Sequence, residues 1–166
     1  MAYTSRGGTE SRDASTVALT GAVLAGIALA VLVANQVDDF LLPGAGWWPL
    51  AVGLALVAAG FGLRIWALRT LGRFFKYRVV IQEGHQVIDT GPYRRIRHPS
   101  YTGMVLCSAG LGLALGNWLA IVAAAAPTLV AFTLRLLSEE RTLAAELGEP
   151  YRDYMTRTHR LIPGVW

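Results

Sequence analysis

Three long stretches of this chain contain no Asp, Glu, Lys or Arg: residues 16–37, 40–63 and 99–134. A helix that crosses a bilayer needs about 20 mostly apolar residues, so each is long enough to span. The third is too long for one crossing but divides in two at Gly116-Asn117, a dipeptide suited to the turn of a helical hairpin. The pattern predicts four crossings, at about 16–37, 47–68, 101–115 and 118–136. Residues 1–15 are small and polar and read as a flexible N-terminal tail, leaving 16–166 as one membrane domain. The first apolar run exceeds the 7–15 residues of a signal-peptide core, which argues for a retained span. Trp47, Trp48 and Tyr101 fall at predicted span edges, where interfacial aromatics concentrate. Gly112 and Gly116 have the spacing of a close helix–helix contact.

Composition agrees with that reading. The 166 residues are 54% hydrophobic and 16% charged, and the charges are clustered. Between Arg64 and Arg97 eight Lys/Arg residues face only Glu83 and Asp89, whereas the first connection holds Asp38 and Asp39 and no base. The positive-inside bias therefore predicts a cytoplasmic 69–100 loop and, with four crossings, both termini on that side. The basic balance is assigned to topology and anionic headgroups rather than to nucleic acid. Cys107 is the single cysteine and forms no intramolecular disulfide. No Cys/His cluster has metal-ligand spacing, so no metal site is expected. No glycine-rich loop follows a strand, which argues against a Rossmann methyltransferase.

Two polar blocks are expected on the same membrane face. In the first, residues 69–103, the short β-branched runs Val79-Val80-Ile81 and Val87-Ile88 predict an extended loop folding over helix ends. Gly91-Pro92 predicts a turn. Pro99 suits the first turn of a helix, which places His98, Ser100 and Tyr101 at an N-terminus that favours negative charge. In the second block, residues 135–166, Arg135 and Glu139 share a helix face at i, i+4, which admits either a structural ion pair or a binding role. Leu143, Leu147, Tyr151 and Tyr154 recur at helical spacing as an amphipathic cover, with Pro150 restarting the helix. Arg94, Arg95 and Arg97 read as headgroup contacts and His159 as a solvated tail residue.

These blocks resemble the isoprenylcysteine carboxyl methyltransferase family of integral membrane methyltransferases and its phospholipid methyltransferase relatives. The similarity is carried by Gly84-His85-Gln86-Val87-Ile88, Thr90-Gly91-Pro92-Tyr93 and Arg97-His98-Pro99-Ser100-Tyr101-Thr102-Gly103. It continues in Arg135, Glu139-Glu140, Leu143, Gly148-Glu149-Pro150-Tyr151, Tyr154 and Ile162-Pro163. The resemblance implies an all-α integral membrane fold in which loop and C-terminal amphipathic helix form a cofactor pocket. It implies S-adenosylmethionine contacts at Gln82, His85, Gln86, Val87, Ile88, Tyr93, His98, Pro99, Ser100, Tyr101 and Glu139. It also implies that Arg135 binds the carboxylate of a lipophilic, isoprenylcysteine-like substrate. The acceptor atom stays open between oxygen, nitrogen and sulfur, and so does the oligomeric state. Two other classes stay open on sequence. One is an NADPH-dependent sterol or steroid reductase, which shares the Arg-His-Pro-x-Tyr block. The other is a non-catalytic protein whose basic loop binds anionic lipid.

Overall fold

The structure, a computed structural model, describes the backbone of residues 6–44, 46–72 and 87–166, with side chains from residue 15 onward. Five α-helices carry the chain: α1 (Arg6–Gln36), α2 (Trp48–Leu71), α3 (Pro99–Ala114), α4 (Trp118–Leu147) and α5 (Glu149–Arg157). Among the described residues there is no strand, only two isolated bridges. Packing runs α1 on α4, α4 on α3 and α3 on α2.

Three segments are long and apolar enough to cross a membrane: Ser15–Gln36, Trp48–Leu71 and Trp118–Leu147. α3, with 16 residues, reaches only about 24 Å at 1.5 Å per residue, short of a hydrocarbon core of about 30 Å. It is nevertheless the element at the centre, held between α2 and α4.

Two boundaries differ from the sequence expectation. Helix α1 starts at Arg6, inside the stretch expected to be a tail, because once an apolar segment fixes a helix each added residue gains a backbone bond. Helix α4 does not stop near residue 136 but continues to Leu147. Its polar residues face inward and are partnered there: Leu136 and Glu140 are buried on one stripe with Phe132.

Glycines set how closely the helices approach. A Cβ on Gly60 would lie 2.5 Å from the Gly103 carbonyl, and one on Gly53 would lie 2.5 Å from that of Gly110. The α2–α3 crossing is therefore backbone on backbone, the usual way membrane helices gain van der Waals contact without a hydrophobic driving force. Of the pair noted in the sequence, Gly112 packs on Ala120 and Ile121 of α4, while Gly116 takes φ +70° and makes the hairpin turn. Asn117, fully buried, caps α4 by accepting from the amides of Leu119 (2.8 Å) and Ala120 (3.2 Å). Its amide also donates to the Val37 carbonyl at 2.7 Å, tying the end of α1 to the hairpin. Ser108 and Thr128 share a buried hydroxyl bond of 2.9 Å between α3 and α4. At the opposite end of these helices, Gly148 (φ +63°) breaks α4, and α5 restarts with Pro150 in its first turn.

Candidate active site

Polar side chains converge where α3 begins, α4 leaves its apolar stretch and the C-terminal segment returns. His98 is the N-cap of α3, and its carbonyl accepts from the amides of Tyr101 (3.0 Å) and Thr102 (3.1 Å). Pro99 follows in the first turn, where its missing N–H costs nothing. The C-terminal segment lies alongside: Arg97 donates from its amide to His159 (2.7 Å), and His98 to Arg160 (3.1 Å). The backbone of residues 95–98 is thereby bridged to 159–160, with the exposed His159 side chain in solvent.

Glu139 and Glu140, adjacent on α4, divide the local cations between them. Glu140 accepts from Arg97 Nε at 2.7 Å and Arg160 Nε at 2.9 Å. Arg97 further donates to the carbonyls of Met155 (3.0 Å) and Thr158 and to the Thr158 hydroxyl (3.3 Å). Its side chain is 7% exposed and that of Glu140 4%, so the expectation of a headgroup contact at Arg97 fails. A buried guanidinium must have its donors satisfied internally, and four acceptors from α4, α5 and the tail do so. Arg94 and Arg95 are exposed as expected.

Glu139 faces a different set. Arg135 Nε donates to Oε1 at 2.7 Å, and the Tyr101 hydroxyl approaches both oxygens at 2.8 and 2.7 Å. Arg135 also donates through Nη1 to Ser15 of α1. The i, i+4 pair is thus formed, the structural alternative left open by the sequence. His98 sits between the two carboxylates, with Nδ1 4.0 Å from Glu139 Oε2 and Nε2 3.4 Å from Glu140 Oε1. Its Nε2 is buried, and the approach to Glu140 is not aligned as a hydrogen bond, so it has no partner among the described residues. An orphaned buried nitrogen is uncommon and calls for a ligand or a role. The His98 ring stacks on Tyr101 (centroids 5.4 Å apart), which in turn rests on Phe132 (4.7 Å).

The remaining positions fall around this centre. Ser100 is buried and accepts from Arg64 Nη1 of α2 at 2.8 Å. Tyr93, buried in the short helical turn Gly91–Arg94, gives its carbonyl to the Tyr154 hydroxyl (2.7 Å). Burial pushes the Tyr93 phenol up to about 12; the Arg64 charge pulls it down and the Glu139 charge raises it further. Tyr93 therefore shares the local field of both groups. Val87 and Ile88 are half-buried in an irregular stretch, tethered to α5 by the exposed Asp89–Arg157 ion pair (2.9 Å). Gln82, His85 and Gln86 lie outside the described residues.

Sequence reasoning brought His98, Pro99, Ser100, Tyr101, Tyr93, Arg135 and Glu139 to one place, and the structure does the same. It missed three cations. Arg64 entered only as the first residue of a basic run, Arg97 as a surface arginine and Arg160 not at all. A signal for Arg64 existed: it is an arginine set about 10 Å inside the end of a spanning helix, at 1.5 Å for each residue before Leu71. Intramembrane charges of that kind mark functional sites by default.

With the fold and geometry in hand, comparison with known proteins is informative. The phospholipid methyltransferase family profile matches residues 48–149. Protein-S-isoprenylcysteine O-methyltransferase B of Arabidopsis thaliana is 33% identical over 121 residues, covering 72% of this chain and 61% of that protein. The Mus musculus protein-S-isoprenylcysteine O-methyltransferase is 34% identical over 120 residues, covering 71% of this chain and 42% of that one. A solved structure of a eukaryotic intramembrane Ras methyltransferase, isoprenylcysteine carboxyl methyltransferase, superposes with a TM-score of 0.72 at 28% identity. It covers 88% of this chain and 52% of that one. This chain thus spans about three-fifths or less of the length of these relatives. The matched region contains the α2–α3 crossing, the hairpin and both site carboxylates, and the chain belongs to the phospholipid methyltransferase family, with isoprenylcysteine O-methyltransferases among its relatives.

Proposed function

We propose that this protein is an S-adenosylmethionine-dependent integral membrane methyltransferase that esterifies the carboxylate of a prenylated cysteine or a similar lipophilic acid. The observation that carries the reading is the Glu139 cluster. One carboxylate, fixed by Tyr101 and Arg135, lies 4.0 Å from His98 at the N-terminus of α3. The named activity of the relatives supports it.

When bound, S-adenosylmethionine supplies an electrophilic methyl group on a sulfonium. The residues present fit such a molecule. Glu139 is an acceptor for its ammonium or ribose hydroxyls, held in one orientation by two donors. The faces of Tyr93 and Tyr101 suit a sulfonium, a contact worth up to about 2 kcal/mol when desolvated. The unpartnered Nε2 of His98 and the first-turn amides of α3 suit anionic or acceptor groups. Gln82, His85 and Gln86 complete the proposed cofactor contacts, with Val87 and Ile88 as an apolar wall.

A carboxylate acceptor is already a nucleophile, so no residue has to remove a proton. The work left to the chain is alignment and the exclusion of water. Tyr101, clamped between Glu139 and Phe132, fixes the floor of the site, and the 158–161 segment covers it. The lipid tail stays in the bilayer beside the helices, and the site opens on the cytoplasmic side. Arg135 keeps the substrate role implied by the resemblance only in part. Two of its nitrogens already serve Glu139 and Ser15, so it acts first by orienting Glu139.

Titration calorimetry of purified protein with S-adenosylhomocysteine tests the reading. Binding in the micromolar range is expected, weakened at least tenfold in Glu139→Ala. The absence of heat with the wild-type protein defeats it.

A further inference from the structure

Arg64 stands apart from the other cations at this site. Arg97 and Arg160 share Glu140, and Arg135 is neutralised by Glu139. Arg64 makes no ion pair among the described residues; its Nη1 donates to the neutral hydroxyl of Ser100 at 2.8 Å. Its position is enforced rather than incidental. The Gly60–Gly103 contact brings α2 and α3 backbones together, and a Cβ on Gly103 would meet Arg64 N at 3.2 Å and Arg64 Cβ at 3.3 Å. The guanidinium is therefore delivered to the first turn of α3, beside the stretch that carries the orphaned His98 Nε2. It acts on Tyr93 as well, whose phenol also senses Glu139.

Placing a guanidinium inside a span is costly unless an anion or a dense set of acceptors meets it. A single serine hydroxyl leaves most of the five N–H donors of an arginine unused. The α3 amide ends beside it favour the same sign of ligand. We propose that Arg64 is the residue that receives a carboxylate in this site, with Ser100 holding the guanidinium in place. Arg135 is a positioning residue for Glu139. The inference rests on the methyltransferase reading, which provides two carboxylates: that of the amino-acid end of the cofactor and that of the acceptor. Both are planar anions matched by the fork of an arginine.

The test compares wild type, Arg64→Gln and Arg64→Lys in detergent. It uses S-adenosylhomocysteine, 5′-methylthioadenosine (which lacks the amino-acid end) and a farnesylated cysteine acid as acceptor. If Arg64 meets the cofactor carboxylate, Arg64→Gln weakens S-adenosylhomocysteine about 10- to 100-fold and leaves methylthioadenosine unchanged. If it meets the acceptor, cofactor affinity is kept while KM for the farnesylated acid rises by about the same factor and kcat changes less. Arg64→Lys retains the charge without the fork and gives a smaller loss in the same ligand; it carries the test should Arg64→Gln fail to fold. Unchanged affinity and KM in both variants, or equal losses for S-adenosylhomocysteine and methylthioadenosine, overturn the assignment. Wild-type protein that binds neither nucleoside overturns the methyltransferase reading itself, a failure distinct from that of Arg64.

Discussion

Replacing Glu140 removes the carboxylate on which the C-terminal segment closes. It is 4% exposed and bonds Arg97 and Arg160 at 2.7 and 2.9 Å. Breaking a buried pair from one side costs about 3–5 kcal/mol, because the other charge stays buried without compensation. Two features lower that figure here. Arg160 is 29% exposed and regains water, and Arg97 keeps the carbonyls of Met155 and Thr158. About 3 kcal/mol remains for Glu140→Ala, and about 2 for Glu140→Gln, which leaves one acceptor oxygen for Arg97. For a chain of this size each kcal/mol moves an unfolding midpoint by about 2–4 °C, so Glu140→Ala should lower it by about 6–12 °C. Tryptophan fluorescence during a thermal ramp in detergent, at one scan rate for all variants, reads the shift. The paired change Arg97→Met with Glu140→Leu, which removes both charges, should recover at least half of it. A Glu140→Ala midpoint within about 2 °C of wild type would refute the view that this carboxylate closes the tail.

Further expectations follow from the helix contacts and the buried phenols. Gly103→Leu should prevent the close α2–α3 approach, since even a Cβ there would lie 2.5 Å from the Gly60 carbonyl; loss of monodisperse protein in size-exclusion chromatography checks this. Asn117→Ala should cost about 1–3 kcal/mol through the lost α4 cap and the Val37 link, read as a lowered unfolding midpoint. Tyr93 is raised to about 12, and Tyr151 and Tyr154 are raised too, all chiefly by burial. The folded protein then holds these protons after the unfolded chain has lost them. Their stabilising contribution is complete below pH of about 10 and declines as pH rises toward 12. Midpoints measured from pH 8 to 11.5 should be flat and then fall, and a rise above pH 10 would contradict the assignment.

The helical frame was legible in the sequence because uncharged length is a direct constraint of the bilayer. Gly116-Asn117 was readable as a turn for the same reason that any non-periodic polar break is. The ends of α1 and α4 were not. Arg135, Glu139 and Glu140 look like the edge of a membrane span when read in one dimension, but they are interior residues of a longer helix whose charges are met by distant segments. Arg97 was misjudged for that reason: a cation beside two other arginines resembles a surface cluster, and its acceptors lie 43 to 61 positions away. The α2–α3 contact was hidden similarly. Gly53 and Gly60 are ordinary glycines of an apolar run until Gly110 and Gly103 are set against them. At the site, local chemistry identified His98 and Tyr101, whereas Arg64 required knowing which helix packs on α3.

The most direct measurement of the central claim follows the methyl group. Purified protein in detergent is incubated with methyl-labelled S-adenosylmethionine and a farnesylated cysteine acid, and the product is treated with alkali. The account predicts label released as methanol, the mark of a methyl ester, and a loss of at least tenfold in Glu139→Gln. Alkali-stable label, or no transfer by wild-type protein that still binds S-adenosylhomocysteine, would contradict it.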